Sequence, residues 1–167
     1  MPLNETPMAT VRQYPLERAK ILKKFIVSEI GYSFIFLLLA VLAFLFASAS
    51  GLVAPIVTLL VVLFIILSLV NLWYQGKYYR VYFYNVKEDF LVIKKGVFMP
   101  RETILPFEKL QDVYLDQDIF DRIFSLWDLH VSTATYMSGF EAHIDGVNIS
   151  NGEAIRELLL NKIKGKE

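Results

Sequence analysis

Residues 30–76 run for 47 positions without one charged side chain. A single helix of that length would reach roughly 70 Å, about twice what a bilayer core requires. The run must therefore bend. Ser48, Ala49, Ser50 and Gly51, followed by Pro55, form its only cluster of small and turn-favouring residues. The division leaves one apolar stretch over residues 25–47 and a second over 53–73, each long enough to cross ~30 Å of hydrocarbon. A soluble chain of 167 residues has too little remaining surface to hide two all-apolar helices. The spacing predicts a transmembrane helical hairpin.

Charge divides the chain into three parts. Residues 1–24 carry Arg12, Arg18, Lys20, Lys23 and Lys24 against two acids, residues 25–76 carry Glu29 alone, and residues 77–167 carry 12 basic and 14 acidic side chains. We therefore expect a basic N-terminal segment (1–24), the hairpin (25–76) and a C-terminal domain (77–167). Positive residues flank both outer ends of the hairpin and are missing from its tip, which places both termini in the cytoplasm of a multi-pass plasma-membrane protein. Trp73, Tyr74, Tyr78 and Tyr79 read as an interfacial belt where the second helix leaves the bilayer. The whole chain balances 17 Lys and Arg against 17 Asp and Glu, which argues against nucleic acid as a partner. The absence of cysteine excludes disulfides, thiolate metal sites and Cys nucleophiles.

Inside the hairpin, Glu29 lies about one turn from the start of the first apolar stretch and reads as a boundary residue rather than a proton site. Ala40, Ala43 and Ala47 form a small-residue stripe that suits helix packing within the hairpin, with a homodimer seam as the other reading.

Past Gly76 the hydrophobic period falls from 3.6 to 2. Tyr79, Val81 and Phe83 alternate with Tyr78, Arg80, Tyr82 and Tyr84, which predicts a first strand. Further strands are expected over 90–94, 102–105, 111–115 and 127–133, with a short helix over 118–126. After a Ser138-Gly139 turn, Phe140, Ala142 and Ile144 alternate with Glu141, His143 and Asp145 as a sixth strand. Ser150 and Glu153 fit a capping box that opens a final helix, with Ala154, Ile155, Leu158, Leu159 and Ile163 on its apolar face. Lys162, Lys164 and Lys166 complement the negative end of its dipole. The fold class is a membrane α-helical hairpin plus an α+β domain, built as a small antiparallel β-barrel capped by a C-terminal helix.

Several stretches carry a resemblance. Gly96-Val97-Phe98 is followed by Arg101, and then by Leu105-Pro106-Phe107-Glu108-Lys109-Leu110-Gln111-Asp112-Val113. Next come Phe120-Asp121-Arg122-Ile123-Phe124 and Trp127-Asp128-Leu129-His130-Val131, in a strand ending at Thr133. This pattern resembles the bacterial PH-like domain of the second type, the YdbS-like membrane family, in which two helices also precede the domain. Ser125-Leu126 stands where that family has Gly-Leu, and Leu110 replaces an Arg. The resemblance implies a PH-like barrel tethered to a membrane, with no catalytic residue and no cofactor.

Chemistry-bearing residues are few. No phosphate loop, HExxH or GxSxG is present in the sequence. His130 and His143 could sit side by side on neighbouring strands, yet both fall on the polar face and read as solvated, with no metal expected. Asp112, Asp116, Asp118 and Asp121 lack the turn glycine and terminal Glu of an EF-hand loop and read as a solvated edge. Asn4 and Asn148 head glycosylation sequons that cytoplasmic placement leaves unused. Lys94, Lys95 and Arg101 form a basic group across a hairpin, a contact for lipid or a partner.

The sequence thus points to a non-catalytic membrane-anchored module that presents a protein-interaction or assembly surface at the cytoplasmic face. The bilayer and a protein partner or second copy are its expected partners, and no small-molecule substrate is expected. Lipid-headgroup sensing is the alternative. Service as an accessory subunit of a membrane enzyme or transporter, through Glu29, is the weaker one.

Overall fold

The protein is seen in a computed structural model that describes residues 9–133 and 142–164. The expected Ser138-Gly139 turn, Phe140, Glu141, Asn4 and Lys166 lie outside the described residues. In chain order come α1 (Thr10–Gln13), α2 (Ala19–Ala47), a 3-10 turn (Ser48–Ser50), α3 (Val53–Val81), β1 (Phe83–Val86), β2 (Phe90–Lys95), β3 (Arg101–Pro106), a 3-10 turn (Phe107–Lys109), β4 (Leu110–Asp116), α4 (Ile119–Phe124), β5 (Trp127–Thr133), β6 (His143–Val147) and α5 (Ile149–Lys164). The chain divides into two compact units. One comprises residues 21–77 and the other joins the residues up to Lys20 with those from Tyr78 onward.

The first unit is the helical pair. The break falls where the small residues sit, with Gly51 at φ 70, a left-handed conformation that costs glycine little. None of the residues in the most apolar 18-residue stretch of either helix is buried. Both helices are long and apolar enough to cross a membrane. Phe36 and Phe64 meet edge to face with ring centroids 5.3 Å apart. Ala40 is half-buried and lines a groove between the helices with Val57, Leu60 and Val61, so this part of the small-residue stripe faces α3.

The second unit holds two three-stranded antiparallel sheets, ordered β1-β2-β3 and β4-β5-β6. The single small barrel expected from the sequence is therefore seen as two separate ladders among the described residues. Tyr84, Leu91, Ile93, Leu105, Phe107, Leu129, Ile144 and Val147 fill the core, and Ile155 and Leu159 bring α5 onto it. The apolar face expected for the last helix is the one that packs.

Four boundaries differ from the sequence reading, each for a local reason. The second long helix continues to Val81, so Tyr79 and Val81 are helical and the first strand starts only at Phe83. Tyr78 and Tyr82 stand four apart and meet edge to face at 5.9 Å, and the Tyr82 amide bonds the Tyr78 carbonyl at 3.0 Å. An i, i+4 aromatic pair stabilises a helix as readily as alternation suits a strand. At the other end α2 begins at Ala19, inside the segment expected to be separate, and residues 9–20 pack with the sheets. The last helix opens two residues early. Asn148 Oδ1 accepts from the Asn151 amide at 2.8 Å, which makes Asn148 the N-cap in place of Ser150. Finally, Ser125 ends α4 in the left-handed conformation at φ 54, doing without glycine what the Gly-Leu pattern does with it.

Candidate functional site

The most deeply built polar cluster was invisible in the sequence. Lys20, only 2% exposed, places Nζ 2.9 Å from Asp145 Oδ1 and 3.0 Å from the Asp145 carbonyl. The same ammonium lies 3.6 Å from the centroid of the Tyr82 ring, a cation–π contact. The Tyr82 hydroxyl donates to the His143 carbonyl at 2.9 Å. Burial, reinforced by the Asp145 carboxylate, holds that hydroxyl well above the ordinary phenol value, so it stays protonated. Gly146 sits at φ 80, and a Cβ there would meet the Lys20 stem at 2.7 Å, so glycine is required on both counts.

Other contacts staple the same N-terminal segment in place. The Glu17 amide donates to the Gly146 carbonyl at 2.8 Å, and Asn148 Nδ2 donates to Glu17 Oε1 at 2.7 Å. The Tyr79 hydroxyl donates to the Leu16 carbonyl and the Tyr84 hydroxyl to that of Tyr14. Thr10 bonds Asn85 Oδ1 through its amide at 2.9 Å and its hydroxyl at 3.1 Å. This cluster contains no reacting group poised on another. It is a buried ion pair, and with the neighbouring hydrogen bonds its effect is to fasten residues 10–20 to β1 and β6.

The covering segment also changes the reading of β6. Asp145 was expected on a solvated face and is buried beneath Lys20 and Tyr82. On the same face His130 and His143 are register partners, their rings stacked at 5.6 Å and 19°. Tyr114 stacks on His130 from the other side at 5.2 Å, and His130 Nε2 lies 3.2 Å from Asp116 Oδ1. The histidines are thus half-buried members of a cross-strand stack. Among the described residues no three His, Asp or Glu side chains converge as a metal-ligand set.

The acidic run disperses into separate roles. Asp118 is the N-cap of α4, accepting from the Asp121 amide at 2.6 Å, and the buried Asp121 returns a bond to the Asp118 amide at 3.3 Å. Asp116 faces His130.

The basic triad is split by the pleat of the sheet. Lys94 pairs in register with Glu102, their charged groups 3.5 Å apart and both side chains 48% exposed. Lys95 pairs in register with Arg101 on the opposite face. There Lys95 and Arg101 line a cleft of about 300 Å³ with Thr103, Tyr78, Gly96 and His143. Lys95 Nζ lies 3.4 Å from both ring nitrogens of His143. Beside it, Phe98 and Met99 at the hairpin tip are 74% and 88% exposed. The structure sets Lys95 and Arg101 side by side, turns Lys94 to the other face, and brings to the same cleft Thr103 and His143, which the sequence reading did not group with them.

In the helical unit, Glu29 is no lone boundary carboxylate. Ser68 Oγ donates to its Oε2 at 2.7 Å and Asn71 Nδ2 to its Oε1 at 3.0 Å, while Asn71 also donates to Ser28 Oγ at 2.8 Å. Gln75 extends the cluster by donating to Asn71 Oδ1 at 3.1 Å. The sequence reading of Glu29 as a boundary residue did not include these partners, because Ser68 and Asn71 lie 39 and 42 positions away, on the opposing helix.

These features, two long apolar helices followed by two antiparallel sheets and a closing helix, agree with the comparisons. No curated protein and no solved structure matches the chain. The bacterial PH domain family matches it over residues 22–163, a span that takes in the helical pair, both sheets and nearly all of α5. The chain therefore belongs to the bacterial PH domain family.

Proposed function

We propose that this protein is a non-catalytic module anchored in the plasma membrane by α2 and α3, with its PH-like unit presenting a protein-interaction or assembly surface at the cytoplasmic face. The observation that carries the reading is the Lys20–Asp145 ion pair. Lys20 precedes the hairpin in the chain and Asp145 follows it, yet both belong to one compact unit. A hairpin whose two ends are joined in this way crosses a bilayer an even number of times. The basic residues at its ends, and none at its tip, support the cytoplasm as the shared side. Membership of a PH-like family supports binding rather than catalysis.

The chain has no native cysteine, so single thiols are clean probes of topology. Ser50 at the hairpin tip and Ser150 in the second unit are both exposed. In intact cells a membrane-impermeant thiol reagent labels Ser50→Cys and spares Ser150→Cys. The reverse pattern refutes the orientation. For the interaction reading, crosslinking in native membranes is expected to yield one discrete higher-mass species. Migration as a monomer alone, across crosslinkers of several lengths, refutes it.

A further inference from the structure

The outer face of the β1-β2-β3 sheet carries a groove of about 690 Å³, with α1 along one side. Strand register builds its surface. Phe83, Lys94 and Glu102 form one cross-strand row, and Asn85, Val92 and Ile104 form the next. Phe83, Phe90, Val92 and Ile104 give the groove an apolar floor, and Ile104 is 55% exposed. Arg12, Lys87 and Lys94 supply three cations against one carboxylate, Glu102, which Lys94 holds at 3.5 Å. Two such faces brought together would set like charges against each other. The groove instead suits an occupant that is apolar and acidic.

Helix α4 has that chemistry. Ile119 and Ile123 stand one turn apart on it and are 76% and 67% exposed, so the groove of their own chain does not hold them. Asp112, Asp116 and Asp118, all exposed, lead into the helix, and residues 108–124 hold five acids against two bases. Phe98 and Met99, an exposed apolar pair at the β2–β3 tip, lie near Lys95 and Arg101 and carry the wrong sign.

We propose that α4 of one copy docks in the outer groove of the β1-β2-β3 sheet of a second copy. Ile119 and Ile123 seat on the apolar floor, and Arg12 and Lys87 face the acids that precede α4. The inference rests on the assembly reading above and names the partner as this chain itself. Because the two surfaces differ, the contact is head to tail, and such contacts close into a ring when the rotation between copies permits. A closed ring gives the discrete species expected in native membranes.

The test uses two full chains co-expressed with different epitope tags, one carrying Ile104→Cys and the other Ile123→Cys. Both positions are exposed, so the replacements leave the core untouched, and the native sequence adds no thiol. A short bismaleimide applied to isolated membranes is expected to yield a dimer bearing both tags. Ser150→Cys in place of Ile123→Cys yields none. Arg12→Glu with Lys87→Glu in the groove copy lowers the dimer about fivefold, and Asp112→Lys with Asp116→Lys in the α4 copy restores it. Pairing of Ile104→Cys with itself marks a face-to-face pair, and a bridged species of another mass marks a different protein; either overturns the proposal. An absent dimer, or a loss that the paired reversals do not rescue, does the same. Lysine crosslinking of the same membranes separates the failures. A discrete higher-mass species without the 104–123 bridge removes this contact and keeps the assembly reading, whereas monomer alone removes both.

Discussion

Replacing Lys20 with methionine keeps most of the stem and removes the ammonium. The Asp145 carboxylate then remains in a buried setting without its 2.9 Å partner, and the Tyr82 ring loses a cation at 3.6 Å. Breaking a buried pair from one side costs about 3–5 kcal/mol, because the surviving charge keeps its desolvation penalty without the attraction that offset it. The cation–π contact overlaps with this loss and does not add in full. At roughly 4–8 °C per kcal/mol for a domain of this size, Tm falls by more than ~12 °C. Trp127 in β5 reports on the sheets once Trp73 is replaced by phenylalanine, and thermal unfolding of the full chain in mild detergent supplies the measurement. The companion variant is the double replacement Lys20→Met with Asp145→Asn. It removes both charges and is expected to recover about 1–3 kcal/mol relative to Lys20→Met alone, since a neutral amide is cheaper to leave buried than a carboxylate. A loss below about 1 kcal/mol in the single variant, or a double variant whose loss equals the sum of its singles, refutes the pairing as a source of stability.

Other expectations rest on separate features. Ser125→Gly relieves the left-handed strain at φ 54 and raises stability by about 0.5–1 kcal/mol, after the entropy that glycine gains in the unfolded chain is subtracted; an unchanged or lower Tm counts against it. Gly146→Ala combines a disfavoured φ with a clash into the Lys20 stem, and folded protein is expected to fall sharply in a soluble-yield and Tm comparison; a wild-type Tm contradicts the account. Burial holds the Tyr82 hydroxyl well above its usual value, so above about pH 10 the unfolded chain releases a proton that the folded chain retains. Stability therefore declines as pH rises through that point, with tyrosinate absorbance appearing together with unfolding; absorbance that precedes unfolding would show an accessible phenol instead. In the helical pair, Glu29→Ala and Asn71→Ala each weaken association of α2 with α3 by about 1 kcal/mol in a detergent titration, and Glu29→Gln weakens it less because the amide retains an acceptor for one donor. Equal effects of Ala and Gln would argue against hydrogen bonding as the cause.

Residues that report through near neighbours were legible in the sequence, and those that act across long separations were not. The uncharged run, the Ser48–Gly51 break and the apolar face of α5 are patterns contained in a few turns of chain, and they appear in the structure where periodicity put them. Strand β5 begins at Trp127 and ends at Thr133 because alternation there had no helical competitor. Between Tyr78 and Val81 alternation and i, i+4 pairing gave rival readings, and the helix won. The site was harder. Lys95 and Arg101 flank one hairpin, so their proximity followed from its turn, but the offset of one residue that sends Lys94 to the other face depends on where the strand begins. His143 reaches that cleft across 48 residues and Lys20 reaches Asp145 across 125, distances that no local pattern spans.

The union of residues 9–20 with the sheets has a consequence for how the protein is made. Synthesis delivers that segment first, then the 57 residues from Ile21 to Lys77, and only afterwards the strands it covers. The domain cannot finish folding until the hairpin has left the ribosome. On the proposed topology, in which α2 and α3 both cross the bilayer, a chain in which just one of them inserts leaves Lys20 and Asp145 on opposite sides, and the face of β6 meant for Lys20 stays open. Correct insertion and a protease-resistant domain thus become a single event, and a nascent-chain series that traps the hairpin half-inserted is expected to show the sheets digested wherever α2 and α3 are not both in place. Resistant sheets in such a trapped chain would separate the two events and set this coupling aside.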